Sequence, residues 1–124
     1  MKIILSNTAS EPIYAQIVEQ IKRQILGGEL KAGDALPSIR QLAKDLHISV
    51  ITTKRAYEEL ERAGFIHAMT GRGSFVADQS PELLREQRLN LIEEKLADAL
   101  REASALGLSL EEVQQMIILL YEEQ

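Results

Sequence analysis

Four basic side chains lie close together in the segment LPSIRQLAKDLHISVITTKRAYEEL, which runs from residue 36 to residue 60. They are Arg40, Lys44, Lys54 and Arg55. Ammonium and guanidinium groups bind phosphate, and they also donate hydrogen bonds to the edges of bases. The chemistry that this segment favours is therefore the binding of a nucleic acid.

Residue patterns typical of an enzyme or a metal site are absent. The chain has no cysteine, which excludes thiol catalysis and thiolate metal ligands. His47 and His67 stand without clustered carboxylates, so a surface or packing role is expected for both. Gly71, Arg72 and Gly73 follow an apolar run and do not precede a helix, unlike a phosphate-binding loop. We expect neither an enzyme nor a cofactor.

The charge of the chain is unevenly distributed. The formal net charge is −5, yet residues 1–80 hold ten basic and nine acidic side chains, whereas residues 81–124 hold four basic and ten acidic ones. The acidity thus belongs to the C-terminal part. The net negative charge of the whole chain therefore does not exclude an anionic partner for residues 1–80.

The basic segment is flanked by elements that could position it. Isoleucines at every fourth residue from Ile13 to Ile25 predict an amphipathic helix, with Ser10 as its cap and Pro12 near its first position. Ser38 and Gln41 form a capping-box pattern at the start of a second, short helix. That helix presents Arg40 and Lys44 on its outward side.

A third helix follows after a very short connection. Ser49 can cap this helix, and Gly64 ends it. Beyond it, two apolar runs flank the residues TGRG, which predicts a β-hairpin with an arginine at its tip. A helix, a short helix, a tight turn, a third helix and a hairpin are together typical of a winged helix-turn-helix. We expect the recognition helix at about 49–63 and the wing at about 65–77.

The outward residues of the third helix change in character along its length. Small polar and basic residues open the helix (Ser49, Thr52, Lys54 and Arg55), and glutamates follow. A recognition helix needs this gradient because its N-terminal residues reach the base edges. Arg40 and Lys44 would then lie near phosphates, and Arg72 near a minor groove.

The C-terminal part predicts two further helices. Ser80 and Pro81 open the first, Gly107 closes it, and Ser109 with Glu112 repeats the capping-box pattern. Their apolar stripes exceed what two helices can bury against each other, so we expect a homodimer. The residues expected at its interface are Leu89, Ile92, Leu96, Leu100, Val113, Met116, Ile117 and Leu120. The domains expected are a DNA-binding domain at 1–78 and a dimerisation region at 79–124.

The segment 12–77 also resembles the DNA-binding domain of GntR-type bacterial transcription regulators. The resemblance is carried by PIYAQI, by GELKAGDALPSIRQLA, by TKRAYEELERAGFI and by GRGSFVA. The short two-helix C-terminal part is similar to the YtrA-like branch, in which this region serves mainly as a dimer interface. The fold implied is mainly α with a small β-hairpin: an N-terminal winged helix-turn-helix followed by a C-terminal helical hairpin.

The resemblance also implies roles for individual residues. It places Arg40 on phosphate or base, and it places Thr70, Gly71 and Arg72 at the minor groove. At the start of the recognition helix it places on bases the residues Ser49, Val50, Thr52 and Lys54. Many relatives carry an arginine where Val50 stands, and valine cannot bond guanine but can pack on a thymine methyl group.

The function expected is a cytoplasmic, sequence-specific DNA-binding regulator. The resemblance implies a repressor. The expected homodimer would bind a pseudo-palindromic operator, and no apolar run is long enough to suggest a membrane partner. A small-molecule effector is an open question, with the tail helices as its only expected place. The alternative is a winged-helix module that binds protein without contacting DNA, which the acidic total charge favours and the local basic patch opposes.

Overall fold

Five helices and one antiparallel hairpin make up the chain, and the computed structural model describes residues 1–124 throughout. The elements are α1 (Ile13–Leu26), α2 (Ile39–Leu46), α3 (Val50–Arg62), β1 (Ile66–Met69), β2 (Gly73–Val76), α4 (Pro81–Ala105) and α5 (Leu110–Glu122). This order confirms the expected mainly α fold with a small hairpin. The backbone forms two compact units, residues 1–84 and residues 85–124.

The core of the first unit is built on α1 and α3. Ile17, Ile21 and Ile25 are buried on α1, as their spacing predicts. They pack with apolar residues of α2, α3 and the hairpin, chiefly Leu42, Ala56, Tyr57, Leu60, Phe65, Ile66 and Val76. The expected cap of α1 was wrong: Pro12 is the N-cap residue and no side chain caps the helix. Pro12 lacks an N–H in any case, and its carbonyl accepts the Gln16 N–H at 3.1 Å.

An extended N-terminal segment binds along α1 through a row of glutamines that the sequence analysis did not identify. The glutamines bond main-chain atoms of this segment: Gln16 with Ser6, Gln20 with Ile4, and Gln24 with Lys2. Gln16 also donates to the Glu11 carbonyl at 3.0 Å. Four helical residues rise about 6 Å, and two extended residues span about 6.6 Å. The two periods match closely enough for all three side chains to reach the segment.

The hairpin is held on both of its edges. In its register Ile66 pairs with Val76 and Met69 pairs with Gly73. On the outer edge of β2, main-chain bonds run from the Gly33 N–H to the Val76 carbonyl (2.8 Å) and from the Leu36 N–H to the Ser74 carbonyl (2.9 Å). The loop before α2 thus pairs with the outer edge of β2, where Ala35 forms an isolated bridge with Phe75.

The second unit consists of most of α4 and of α5. Ser109 and Glu112 form the predicted capping box at the start of α5. Residues 106–109 connect the two helices, and Gly107 has a φ of +76° there. Neither helix contains a fully buried residue. None of the five helices combines the length and apolar character that a membrane span requires.

Candidate nucleic-acid interface

The turn between α2 and α3 is fixed by main-chain hydrogen bonds. The Ile48 N–H donates to the Ala43 carbonyl at 3.0 Å, and the His47 N–H donates to the Lys44 carbonyl at 3.3 Å. These two bonds form a Schellman motif, which ends α2 and reverses the chain. His47 takes the left-handed conformation that the motif requires, with φ 56° and ψ 45°. The angle between the two helices is therefore set without a long loop.

Ser49 caps the start of α3, and its hydroxyl both accepts and donates a hydrogen bond. Its Oγ accepts the Thr52 N–H at 3.0 Å and donates to the Thr52 Oγ1 at 2.8 Å. Its carbonyl accepts the hydroxyl of the fully buried Thr53 at 3.0 Å. The predicted cap is confirmed, and both hydroxyl groups at the start of the helix already have partners within the chain.

Ser38 begins α2 in a similar way. Its side chain accepts the Gln41 N–H at 3.0 Å, as predicted. The second half of the expected capping box is absent: the Gln41 side chain reaches along the helix, where its Nε2 donates to the Asp45 carboxylate at 2.7 Å, and it does not accept the Ser38 N–H. One cap bond is sufficient here because Leu42 and Ala43 anchor the short helix in the core.

Tyr57 connects α3 to the segment that precedes α2. Its ring is buried in the core, and its hydroxyl donates to the Pro37 carbonyl at 2.6 Å. Burial raises the pKa of Tyr57 to about 12. The hydroxyl in addition holds the segment LPS, and with it the first turn of α2 that carries Arg40.

Three exposed cations of the candidate interface have no acidic partner. Arg40 and Lys44 lie four residues apart on α2, Arg72 lies at the tip of the hairpin, and none of them joins an ion pair. Lys54 on α3 lies 3.9 Å from the Glu58 carboxylate, a long and exposed contact that stabilises little. Because α2 and β1 both pack on α3, these charges belong to three neighbouring elements.

Arg55 contacts α1 rather than projecting freely. Its guanidinium lies over the ring of Tyr14, 3.8 Å from the ring centre. Such a cation–π contact stabilises by about 0.5–1 kcal/mol when it is exposed. The sequence analysis grouped Arg55 with the DNA-binding residues, and this contact between α1 and α3 gives it a second, structural role.

Two apolar side chains occupy the first positions of α3. Val50 is 47% exposed and Ile51 is 81% exposed. Thr52, the next residue, is half-buried beside Ser49. Val50 was among the expected site residues, whereas Ile51 was not. Its position two residues after a capping serine was the signal in the sequence that could have identified it.

The hairpin tip is a three-residue loop, Thr70 to Arg72, and all three residues are exposed. The Arg72 N–H donates to the Met69 carbonyl at 2.9 Å and closes the loop. Gly71 has a φ of +77°, which a residue with a Cβ adopts only at a cost. The predicted wing is present, and its arginine points away from the core.

Glu61 holds the wing from α3. Its Oε2 accepts the Ala68 N–H of β1 at 2.8 Å. One main-chain N–H on the edge of β1 that does not pair with β2 thereby gains a hydrogen-bond acceptor. The sequence analysis treated Glu61 as one of several outward acids, and nothing in its spacing distinguished it from Glu58 or Glu59.

The tail residues expected at a dimer interface are largely unburied in the single chain. Seven of the eight are between 45% and 57% exposed, namely Leu89, Ile92, Leu96, Leu100, Met116, Ile117 and Leu120, and Val113 is half-buried. Within the second unit, Leu96, Ile117, Leu120 and Tyr121 line an open groove of about 530 Å³. The tail thus presents an apolar surface that this chain alone does not cover.

Comparison with known proteins identifies the first unit. The family model described as bacterial regulatory proteins, gntR family, matches residues 13–76. The HTH-type transcriptional repressor YtrA of Bacillus subtilis is 38% identical over 109 residues, which cover 88% of this chain and 84% of that protein.

Solved structures resemble the chain in both sequence and fold. A GntR family transcriptional regulator from Listeria monocytogenes is 34% identical with a TM-score of 0.70, over 91% of this chain and 96% of that one. AraR(DBD) in complex with operator ORX1 is 26% identical with a TM-score of 0.55, over 62% of this chain and 96% of that one. The second of these shows a related domain bound to its operator.

Proposed function

This chain belongs to the gntR family of bacterial regulatory proteins, and we propose that it represses transcription as a homodimer bound to a pseudo-palindromic operator. The family and the relatives make the chain a DNA-binding transcription regulator and not an enzyme. Repression is proposed because YtrA of Bacillus subtilis, a relative similar over 88% of this chain, is a transcriptional repressor.

The observation that carries the proposal is the group of unpaired cations on α2 and at the hairpin tip. Arg40, Lys44 and Arg72 have no acidic partner, although the chain as a whole is acidic. Each phosphate that such a cation neutralises releases counterions, which drives binding to DNA. The proposed roles are phosphate contacts for Arg40 and Lys44, which position α3 in the major groove.

Base reading is proposed for the start of α3. Val50 and Lys54 are exposed there, and Ser49 and Thr52 stand at the same end of the helix. The acids Glu58 and Glu61 lie one to three turns further along. A helix that enters the groove with its N-terminus brings the first group to the bases and keeps the second group away from the phosphates.

The wing is proposed to contact an adjacent minor groove. Thr70, Gly71 and Arg72 are exposed, and the narrow tip carries an arginine, the side chain most suited to the negative potential of that groove. Bonds from β1 to Glu61 and from β2 to residues 33–36 hold the hairpin in place.

Homodimerisation is proposed through the apolar faces of α4 and α5. Half-exposed leucines and isoleucines at this density are typical of a surface that a partner covers. The second copy is also the proposed occupant of the groove beside Ile117, so no effector site is proposed there. Two recognition helices related by a two-fold axis would meet half-sites about 34 Å apart.

Selection of genomic fragments by the purified full-length chain tests the DNA-binding proposal. We expect one palindromic sequence to be enriched, and we expect Arg40→Ala to abolish the enrichment. The matched control is Arg23→Ala, which removes the same charge from α1, outside the candidate interface. Equal enrichment by the chain and by Arg40→Ala would refute the assigned role of Arg40. A chain that enriches no DNA and captures a protein would instead support the alternative function.

Sedimentation equilibrium tests the dimer separately. We expect the full chain to be a dimer, and we expect Ile117→Glu to weaken association by at least ~100-fold because it places an unpaired charge in an apolar interface. Leu106→Glu is the control, since Leu106 lies in the connection between the tail helices and is 80% exposed. Equal dissociation constants for the two variants would contradict the proposed interface.

A further inference from the structure

Ile51 is the most exposed large apolar residue of the first unit. Its side chain is 81% exposed, and its neighbour Val50 is 47% exposed. Folding gives no reason for this pair, because β-branched residues have modest helix propensity and neither side chain enters the core. The first turn of a helix also favours acidic or hydroxyl side chains over apolar ones. The exposure of these two apolar side chains is therefore explained by contact with a partner and not by the requirements of folding.

The polar groups at the same end of α3 are largely engaged within the chain. The hydroxyls of Ser49 and Thr52 are bonded to each other. The Lys54 ammonium lies 3.9 Å from the Glu58 carboxylate, and the Arg55 guanidinium lies on the ring of Tyr14. The exposed surface at the start of the helix thus includes the apolar side chains of Val50 and Ile51 beside that of Lys54.

The major groove offers only one apolar group to such a surface. Guanine presents two acceptors, adenine presents an acceptor and an amino group, cytosine presents an amino group, and thymine presents its C5 methyl group beside an acceptor. An isoleucine and a valine at adjacent positions therefore match thymine and leave the other bases without a hydrogen-bond partner.

We propose that Ile51, together with Val50, reads thymine methyl groups, and that each operator half-site carries thymine at the positions facing the start of α3. The inference rests on the proposed function, since it requires α3 to lie in the major groove. It adds Ile51 as a specificity-determining residue and gives the operator a stated composition at those positions.

The magnitude follows from the burial of a single methyl group. Burying one such group stabilises by about 0.8 kcal/mol, which corresponds to about a four-fold change in affinity. A symmetric dimer repeats each contact in its second half-site. Removing one thymine methyl group from each half-site is therefore expected to weaken binding by about 16-fold.

The experiment begins with selection of a binding site by the full-length chain from a random-sequence, unmodified duplex library. The selected site is then remade with deoxyuridine in place of individual thymidines, which removes only the methyl group. We expect deoxyuridine at the positions that face Val50 and Ile51 to weaken binding, by about 16-fold for each symmetric pair, and deoxyuridine elsewhere in the site to have little effect.

Variants connect that loss to Ile51. Ile51→Ala should bind the thymidine site more weakly and should not distinguish thymidine from deoxyuridine at one of the sensitive positions. Lys31→Ala, a change in the loop after α1, should retain the full discrimination. Thermal melting of each variant checks folding, which Ile51→Ala should leave unchanged because the side chain is exposed.

The outcomes separate this inference from the proposed function. A selection that enriches no sequence would overturn the proposed function, and the inference with it. An enriched site that tolerates deoxyuridine at every position would overturn the inference alone. Undiminished discrimination in Ile51→Ala would likewise remove Ile51 from the reading of the site.

Discussion

Replacing Tyr57 with phenylalanine removes one oxygen atom and thereby tests how α3 is tied to α2. The Tyr57 hydroxyl donates to the Pro37 carbonyl at 2.6 Å, and the ring itself fills the core. Phenylalanine keeps the ring but leaves the carbonyl without this donor. A lost hydrogen bond of this kind costs about 1–2 kcal/mol. For a unit of this size, we expect the melting temperature at pH 7 to fall by about 4–8 °C per kcal/mol.

The same substitution should change the dependence of stability on pH. Burial raises the pKa of Tyr57 from 10.0 to about 12 in the folded chain. Below pH 10 the phenol is protonated in both the folded and the unfolded chain, so the hydrogen bond of Tyr57 stabilises the folded chain in full. Between pH 10 and pH 12 the unfolded chain releases the proton and the folded chain retains it. The free energy of unfolding therefore falls by about 1.4 kcal/mol per pH unit in this window.

Phenylalanine has no proton to release, so the two chains should converge as the pH rises. An advantage of about 1–2 kcal/mol is offset by a loss of about 1.4 kcal/mol per unit above pH 10, which places equal stability near pH 11. Urea unfolding at pH 8, 10 and 11 measures the difference directly. Tyr14→Phe is the matched control, because no hydrogen bond is made by the Tyr14 hydroxyl.

The result that would refute this reasoning is a difference between Tyr57→Phe and the unaltered chain that stays constant from pH 8 to pH 11. It would mean that burial does not hold the proton on Tyr57. Loss of stability without any loss of DNA affinity would separately show that the bond to Pro37 does not position Arg40.

Three further predictions concern residues whose roles come from the structure. His47→Gly should raise the free energy of unfolding by about 1 kcal/mol, because glycine adopts the observed φ of 56° without a Cβ clash; a lower value in urea unfolding would contradict this. Gln20→Ala should remove both bonds to Ile4 and speed hydrogen exchange at the Ile4 amide, and unchanged exchange would show that the glutamine does not hold the segment. Glu61→Ala should free the Ala68 amide and weaken DNA binding in a titration by fluorescence anisotropy. The lost negative charge alone would strengthen binding, so tighter binding would oppose a positioning role for Glu61.

Helix ends and core faces were predictable because short-range chemistry determines them. Ser49 and Ser109 cap their helices as their positions indicate. The isoleucines spaced by four residues on α1 are buried because 3.6 residues per turn bring them to one face. The cap of α1 was wrong because local pattern does not fix where a helix begins: Pro12 itself is the N-cap residue, so Ser10 lies outside the helix end.

Contacts between elements distant in sequence were not predictable from the same patterns. The glutamines that bind residues 2–6 look like ordinary polar positions of an amphipathic helix. Nothing near Arg55 indicates that the ring beneath it belongs to Tyr14, and nothing near Glu61 indicates its bond to Ala68. These partners depend on how the elements pack against one another, and the packing cannot be inferred from local patterns in a single sequence. The exposure of Ile51 has the same origin, since periodicity alone does not distinguish an inward apolar residue from an outward one.

The net negative charge of the chain and the cations of its candidate interface act over different distances. Net charge acts at long range and is screened by salt over about 8 Å at physiological ionic strength, whereas a phosphate contact depends on the nearest side chains. Arg23, Arg62 and Arg101 are each paired with an acid on their own helix, so they have little attraction left for DNA. Arg40, Lys44 and Arg72 are left unpaired on the elements that carry the candidate interface. Overall repulsion weakens binding to arbitrary DNA, and in the proposed complex the base contacts at the start of α3 would distinguish the operator from other DNA. An acidic regulator with a few unpaired cations is in this way more selective than a uniformly basic one, because fewer of its contacts are available to every sequence.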